Sequence, residues 1–220
     1  MGYKAIRNAL LAMGLVLGSN GLMAQGMASA EMLSGSCAGC HGGGGNSDGP
    51  ATPGIAGMSK GYFIAAMLAY KYGGDEAAVE AAIKANPSVL DADEFEVLPR
   101  TGTIMGRIAK GYSEDEIFAM ADYFAKQGFV RHPQTADSAL ASKGANVHEK
   151  NCEKCHEDGG RTSVDDVGIL AGQWMPYLSN AMADFRAGDR KMPKKMAAKV
   201  KDLGDDDFKA LIQYYGSQQK

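Results

Sequence analysis

Cys37-Ala38-Gly39-Cys40-His41 is echoed 115 residues later by Cys152-Glu153-Lys154-Cys155-His156. The two copies use all four cysteines of the chain and two of its four histidines. C-x-x-C-H is the attachment pattern of a c-type haem. Two thiols one helical turn apart add across the porphyrin vinyl groups, and the next histidine is held against one face of the iron. A C-x-x-C pair also suits a thioredoxin-like dithiol, but no βαβ pattern surrounds either copy. A shared zinc site would need a closer spacing, and structural disulfides are open to an exported protein. None of these explains a histidine directly after both pairs. The motifs therefore predict two covalently bound haem c groups, held by Cys37, Cys40, Cys152 and Cys155, with His41 and His156 as iron ligands.

The chain has 220 residues, enough for one large domain or two small ones. Its first 30 residues read as a signal peptide. Lys4 and Arg7 form a basic start, Ala9 to Leu17 an apolar run, and Ala28-Ser29-Ala30 a small-residue cleavage box. Cleavage after Ala30 would leave Glu31 first; an uncleaved anchor is the alternative. The apolar run falls short of the ~20 residues that span a bilayer. The mature protein is expected in the periplasm with no membrane span. Loss of Lys4 and Arg7 with the leader moves the net charge from −3 to −5. That balance argues against nucleic acid as a partner.

Helical periodicity carries most of the remaining chain, so the expected fold is all-α. Tyr62, Phe63, Ala66, Met67 and Tyr70 share a face, closed by Gly73-Gly74. Asp75 to Ala85 reads as a helix stopped at Asn86-Pro87. Ser113 and Glu116 form a capping box ahead of an apolar stripe at Ile117, Met120, Ala121 and Phe124. The polar stretch 129–138, with its core at 131–138, reads as an interdomain linker. Helices follow from Ala139 to Asn151, Trp174 to Phe185 with Pro176 in the first turn, and Asp205 to Tyr215. The region 75–102, with its acidic run Asp91 to Glu96, reads as a solvated surface excursion.

An internal repeat organises these pieces. An offset of 115 superimposes the halves from Cys37 to Gly73, matching Gly44-Gly45 with Gly159-Gly160, Tyr62 with Tyr177 and Met67 with Met182. From Met105 the offset is 91, matching Met105 with Met196 and Tyr123 with Tyr214. The difference is an insertion of 24 residues in the first half. The chain thus divides into an N-terminal unit at 31–130, with its insertion around 75–102, and a C-terminal unit at 139–220.

A low-spin electron-transfer haem needs a sixth ligand, and a methionine thioether raises the potential relative to a second histidine. Among 13 methionines, Met105 and Met196 coincide in register just before the closing helices. They are the expected ligands, with Met192 the rival to Met196. Met67 and Met182 lie in amphipathic stripes, where packing accounts for them. His132 and His148 have no counterparts in each other's half and read as surface or linker residues. A saturated iron points to outer-sphere electron transfer, with no catalytic residue in this chain.

Two such units resemble the dihaem cytochrome c4 group, two tandem class I cytochrome c domains. The closer resemblance is to the cytochrome subunit of flavocytochrome c sulfide dehydrogenase. It rests on the first motif through Gly42, on Thr103-Ile104-Met105-Gly106-Arg107-Ile108-Ala109-Lys110-Gly111-Tyr112-Ser113 and on the second motif. Ile169-Leu170-Ala171-Gly172-Gln173-Trp174, Pro176-Tyr177-Leu178, Lys194-Lys195-Met196-Ala197 and Ser217-Gln218-Gln219 add to it. The resemblance implies a periplasmic heterodimer with a separate FAD-containing subunit that oxidises sulfide. Electrons would pass through the dihaem chain to a soluble cytochrome c, with His41, Met105, His156 and Met196 as iron ligands. The 75–102 insertion departs from that family's pattern and bears on flavoprotein docking or exposure of the first haem. A free-standing cytochrome c4-like carrier feeding a terminal oxidase is the alternative. A haem enzyme or gas sensor would need an open axial position.

Overall fold

A computed structural model describes residues 28–87 and 98–219. The basic start and apolar run of the leader and the acidic run Asp91 to Glu96 lie outside the described residues. The described fold is all-helical. The first half contains α1 (Ala30–Gly35), α2 (Ala38–His41), α3 (Lys60–Lys71), α4 (Glu76–Ala85), α5 (Thr103–Ala109) and α6 (Glu114–Ala125). The second contains α7 (Ser138–Asn151), α8 (Met175–Ala187), α9 (Lys194–Val200) and α10 (Asp205–Ser217).

Local chemistry sets the ends. Asp75 caps α4 by accepting from Ala78 N at 3.1 Å. The Ser113 hydroxyl accepts from Glu116 N, and the Glu116 carboxylate accepts from Ser113 N, which completes the box on α6. Asp137 caps α7 one residue earlier than the sequence pattern suggests. Gly188, at φ 82°, closes α8 in the left-handed region that glycine enters without strain.

The repeat survives as geometry. α3 and α8 begin 115 residues apart, while α5 and α9 have equal lengths and sit 91 apart. Backbone hydrogen bonds repeat too. Ile55 N and Ala56 N donate to Gly45 O, as Leu170 N and Ala171 N donate to Gly160 O. Gly57 N donates to Phe124 O at 2.9 Å, and Gly172 N to Tyr215 O at 2.8 Å. In each half one such bond ties the mid-chain loop to the closing helix, so the two units have the same internal architecture.

Each unit has its own core. The first gathers Leu33, Phe63, Ile64, Met67, Leu68, Ile117, Met120 and Phe124. The second gathers Leu178, Leu211 and Tyr215, flanked by Val147, Leu170, Tyr177 and Ile212. Two sequence expectations change here. α4 is not a solvated excursion, because Val79, Ala82 and Ile83 on one face are buried in the first core. The spacing i, i+3, i+4 gives it an apolar stripe that its alanine content obscures. His148 is not a surface residue either. It is 2% exposed, on the stripe Ala141, Gly144, His148 that α7 buries.

The position of Leu33 in the first half corresponds to His148 in the second, and Phe124 corresponds to Tyr215. An apolar pair is thus replaced by a hydrogen-bonded one. His148 Nδ1 and the Tyr215 hydroxyl are 2.9 Å apart, and Nε2 pairs with the Glu153 carboxylate. A buried imidazole is tolerated because both ring nitrogens have partners.

The units meet through backbone and amide groups. The Gln173 side chain accepts from Gly54 N at 3.1 Å and donates to Gly54 O at 2.7 Å. Trp174 Nε1 donates to Ser47 O, and the Ser163 hydroxyl donates to Gly57 O. The linker is held from both sides. Asn46 donates to Gly128 O and accepts from Val130 N, while Gln134 donates to Gln173 O and accepts from Met175 N. His132 stacks on Trp174 with ring centroids 5.0 Å apart. Gln173 is 2% exposed, so Gln173→Leu strands a buried donor and acceptor on Gly54. A loss of ~1–3 kcal/mol is expected in denaturant unfolding, since an unsatisfied buried group carries a penalty of that order. A variant as stable as the wild type would show that this amide pair does not join the units.

Candidate functional site

α2 folds the first motif into a helical turn, with His41 N donating to Cys37 O at 2.8 Å and Cys40 N to Cys37 O at 3.2 Å. The second motif repeats both bonds, His156 N and Cys155 N donating to Cys152 O at 2.9 and 3.1 Å. Each turn sets its two thiols on one side and presents the histidine inward. No disulfide joins any of the four cysteines; Cys40 and Cys155 are exposed, and Cys37 and Cys152 are half-buried. Burial pushes the Cys37 and Cys152 thiols up. A redox dithiol of the thioredoxin kind needs the opposite shift. No cluster of three or more His, Cys, Asp or Glu that could hold a metal ion is present among the described residues. The dithiol and zinc readings therefore have no structural support.

His41 Nδ1 donates to Pro53 O at 2.8 Å. That bond fixes the tautomer and leaves the Nε2 lone pair for a metal, the usual arrangement behind a ligating imidazole. In the second unit the repeat partner of Pro53 is Gly168. It faces the His156 ring without reaching good hydrogen-bond geometry, and His156 Nδ1 is buried without a partner. Burial lowers the His41 pKa and pushes that of His156 down to about 4, in both cases against the opposing pull of the carbonyl. Both rings are thus neutral at neutral pH, the form that binds a metal.

Met105 lies on α5, half-buried and packed against the first core. Met196 occupies the same register on α9. Each stands eight residues before the N-cap of the closing helix, Ser113 for α6 and Gly204 for α10. Met192 lines a 320 Å³ cavity with Phe185, Val200, Leu203 and Phe208, and nothing from Cys152–His156 contributes to that lining. Met192 thus packs among apolar side chains of the second unit, while Met196 keeps the register of Met105. Beside Met105, Ile104 is 67% and Ile108 38% exposed. This apolar surface without protein cover fits the face of a porphyrin, as do the exposed thiols and the neutral histidines.

The C-terminal half, residues 139–214, matches the family model described as "Cytochrome C oxidase, cbb3-type, subunit III". Cytochrome c4 of Azotobacter vinelandii is 26% identical over 95% of this chain and 98% of its own length. The cytochrome subunit of sulfide dehydrogenase from Chlorobaculum tepidum is 36% identical over 46% of this chain and 69% of its own length. The chain belongs to the dihaem, cytochrome c4-like class I cytochromes c. The thiosulfate dehydrogenase electron acceptor of Stutzerimonas stutzeri is 30% identical, over 62% of this chain and 68% of that one. Reduced recombinant cytochrome c4 from Pseudomonas stutzeri superposes with a TM-score of 0.67 at 23% identity, covering 86% of this chain and 96% of that one. The two tandem cytochrome c domains expected from the repeat are thereby confirmed. The cofactors of this cytochrome c4-like chain are two covalently bound haem c groups, and it is a dihaem electron carrier.

The roles of four residues escaped the sequence reading. His148 and Tyr215 brace the second motif through Glu153, which also accepts from Asp158 N and Gly159 N just past His156. Gln173 joins the units. Arg100, at the end of the insertion, lies among the tyrosines of both halves. For His148 a signal existed, because it continues the i, i+3, i+7 stripe of α7. For Arg100 none did.

Proposed function

We propose that this chain is the periplasmic electron-transfer subunit of a sulfide-oxidising flavoenzyme. It would take electrons from an FAD-containing partner chain and hand them to a soluble cytochrome c. The observation that carries the electron-transfer part is the matched register of two units, each offering one histidine and one methionine. Cys37 and Cys40 would hold one haem, with His41 and Met105 beside its iron; Cys152 and Cys155 would hold the other, with His156 and Met196. When bound, each haem supplies a one-electron couple. The protein's part is to hold both axial side chains still and keep the group dry. Packing of Met105 against the first core and the His41–Pro53 bond do the first; the apolar helix faces do the second. With a histidine and a methionine supplied to each iron, neither haem would offer a position for substrate.

Similarity to the cytochrome subunit of sulfide dehydrogenase supports the choice of partner. The test is affinity purification of the tagged chain from its source cells, followed by sulfide addition under anaerobic conditions. An FAD-containing companion and sulfide-dependent reduction of both haems are expected. A monomer that sulfide leaves oxidised, in cells actively oxidising sulfide, overturns the assignment. The whole-length match to cytochrome c4 favours a second reading, a free-standing carrier to a terminal oxidase. Direct oxidation of the purified reduced protein by an oxidase membrane fraction would establish it.

A further inference from the structure

The insertion gives the first unit a helix, α4, that has no repeat partner in the second. α4 starts where Gly74 lies against Thr101; a Cβ there would stand 3.3 Å from Thr101 Cγ2. It ends where the Asn86 amide donates to the Glu114 carboxylate at the start of α6. Between those ends Val79, Ala82 and Ile83 enter the cluster that holds Ala109 and Ile117, with Tyr70 and Tyr112 packed against it. α4 therefore covers the face made by the end of α3, by α5 and by the start of α6.

The repeat locates the same face in the second unit. Tyr70, Ala109, Tyr112 and Ile117 correspond to Phe185, Val200, Leu203 and Phe208. These four line the 320 Å³ cavity, and Met192 lines it from the position that Thr101 holds, two residues ahead of the helix. Ala109 is fully buried, whereas Val200 and Leu203 are only half-buried. The open groove of the second unit is thus the place that α4 fills in the first. A haem does not account for it: both units carry the same attachment turn, and in the first unit protein already occupies this position. Charge completes the groove. Arg186 and Lys201 line it beside the apolar side chains, and Lys191 and Lys199 adjoin Met192 and Val200 in the chain. Arg186 lies over the Phe208 ring and pairs with Asp205 at 2.6 Å. Lys201 has no ion-pair partner among the described residues. The helix that fills the matching face is itself acidic, with Asp75, Glu76 and Glu80 against Lys84 alone.

We propose that the groove between α8, α9 and α10 docks an acidic amphipathic helix of a partner protein, seated as α4 is seated in the first unit. Aliphatic side chains at i, i+3 and i+4 enter between Val200, Leu203 and Phe208, and carboxylates on the helix flank meet Lys201 and its neighbours. The first unit covers this face from within and does not take the same partner. The insertion thus makes two otherwise equivalent units distinguishable, so that a partner approaches the second unit alone. The site is independent of which protein supplies the electrons.

The experiment titrates the reduced, haem-loaded protein with a helix-constrained peptide of the sequence Asp75–Asn86 and follows methyl resonances by NMR. Saturable shifts are expected at the Met192, Val200 and Leu203 methyls, while those of Leu68 and Ile117 stay in place. A peptide carrying Val79→Ser and Ile83→Ser should not bind. Val200→Glu in the protein should weaken binding about tenfold or more. Lys201→Glu, at an exposed position that leaves the fold alone, should weaken it several-fold and remove most of its salt dependence. Methyls that the peptide leaves in place, or that the serine peptide moves equally, would overturn the proposal. So would large ring-current shifts of the Met192 and Val200 methyls in the peptide-free protein, which would put the porphyrin in the groove. A protein that dimerises on concentration, and ceases to as Val200→Glu, would make a second copy the occupant and overturn the assignment to a partner.

Discussion

Met196→Ala is expected to remove one of two methionine–iron charge-transfer contributions from the oxidised spectrum and to displace one of two reduction transitions. Axial ligand identity spans ~0.8 V of haem potential, and methionine sits on its high side because the soft thioether favours ferrous iron. Alanine leaves water or nothing in its place, so the affected transition should fall by a large part of that range. Carbon monoxide should then bind rapidly to one reduced haem. Met105→Ala should do the same to the other transition alone, since each methionine belongs to its own unit. Met192→Ala should leave both transitions in place, because its side chain lines a cavity among Phe185, Val200 and Phe208. The measurement is a spectroelectrochemical titration of the three variants. A collapse in Met192→Ala with an intact Met196→Ala would reverse the assignment and break the register argument.

That argument was available from sequence because both offsets, 115 and 91, are carried by rigid elements. The turn at each C-x-x-C-H, the paired glycines Gly44-Gly45 and Gly159-Gly160, and the closing helices obey strong local rules. Positive φ at Gly45 and Gly160, 86° and 85°, shows the same backbone bend in both halves. Ser113 with Glu116 fixes the start of α6 without help from the rest of the chain. The Ile117, Met120, Ala121, Phe124 stripe and its partner Phe208, Leu211, Ile212, Tyr215 follow from helical period alone.

Where the reading failed, the decisive partner lay far along the chain. His148 looks like a solvent residue until Tyr215, 67 positions away, gives its ring a hydrogen bond. Gln173 is an ordinary polar loop residue until its amide meets Gly54, 119 positions away. Val79 and Ile83 were legible as apolar, but the acid-rich context around them suggested solvent, and only the first core shows what they cover. Arg100 belongs with these. Its place between the units depends on the path of the whole insertion, which has no repeat partner to compare it with. Local rules thus located the C-x-x-C-H turns and the closing helices, and tertiary pairing decided how the two units are joined.

Gly144→Ala should be the most disruptive change outside the haem contacts. α7 and α10 pack together as the main pair of the second unit, and Gly144 lies on the buried face of α7 with Ala141 and His148. A Cβ there would stand 2.1 Å from Ala210 O, 2.6 Å from Ala210 C and 2.7 Å from Tyr214 Cβ. Two of these are backbone atoms, so no rotamer change relieves the clash and the helices must part. Alanine's better helix propensity returns ~1 kcal/mol. Overpacking of a closed core costs ~1–3 kcal/mol and sometimes more; with backbone as the obstacle, a net loss of ~3 kcal/mol is expected. The damage should spread. Parting α7 from α10 strains the His148–Tyr215 bond, and Tyr215 O is the acceptor for Gly172 N, next to Gln173. Gly35→Ala on α1 is the control, because a Cβ there meets nothing within 4 Å and should leave stability unchanged or raise it. Denaturant unfolding of the two haem-loaded variants decides the matter. If Gly144→Ala matches Gly35→Ala, the close crossing of α7 and α10 at this residue is not what holds the second unit together.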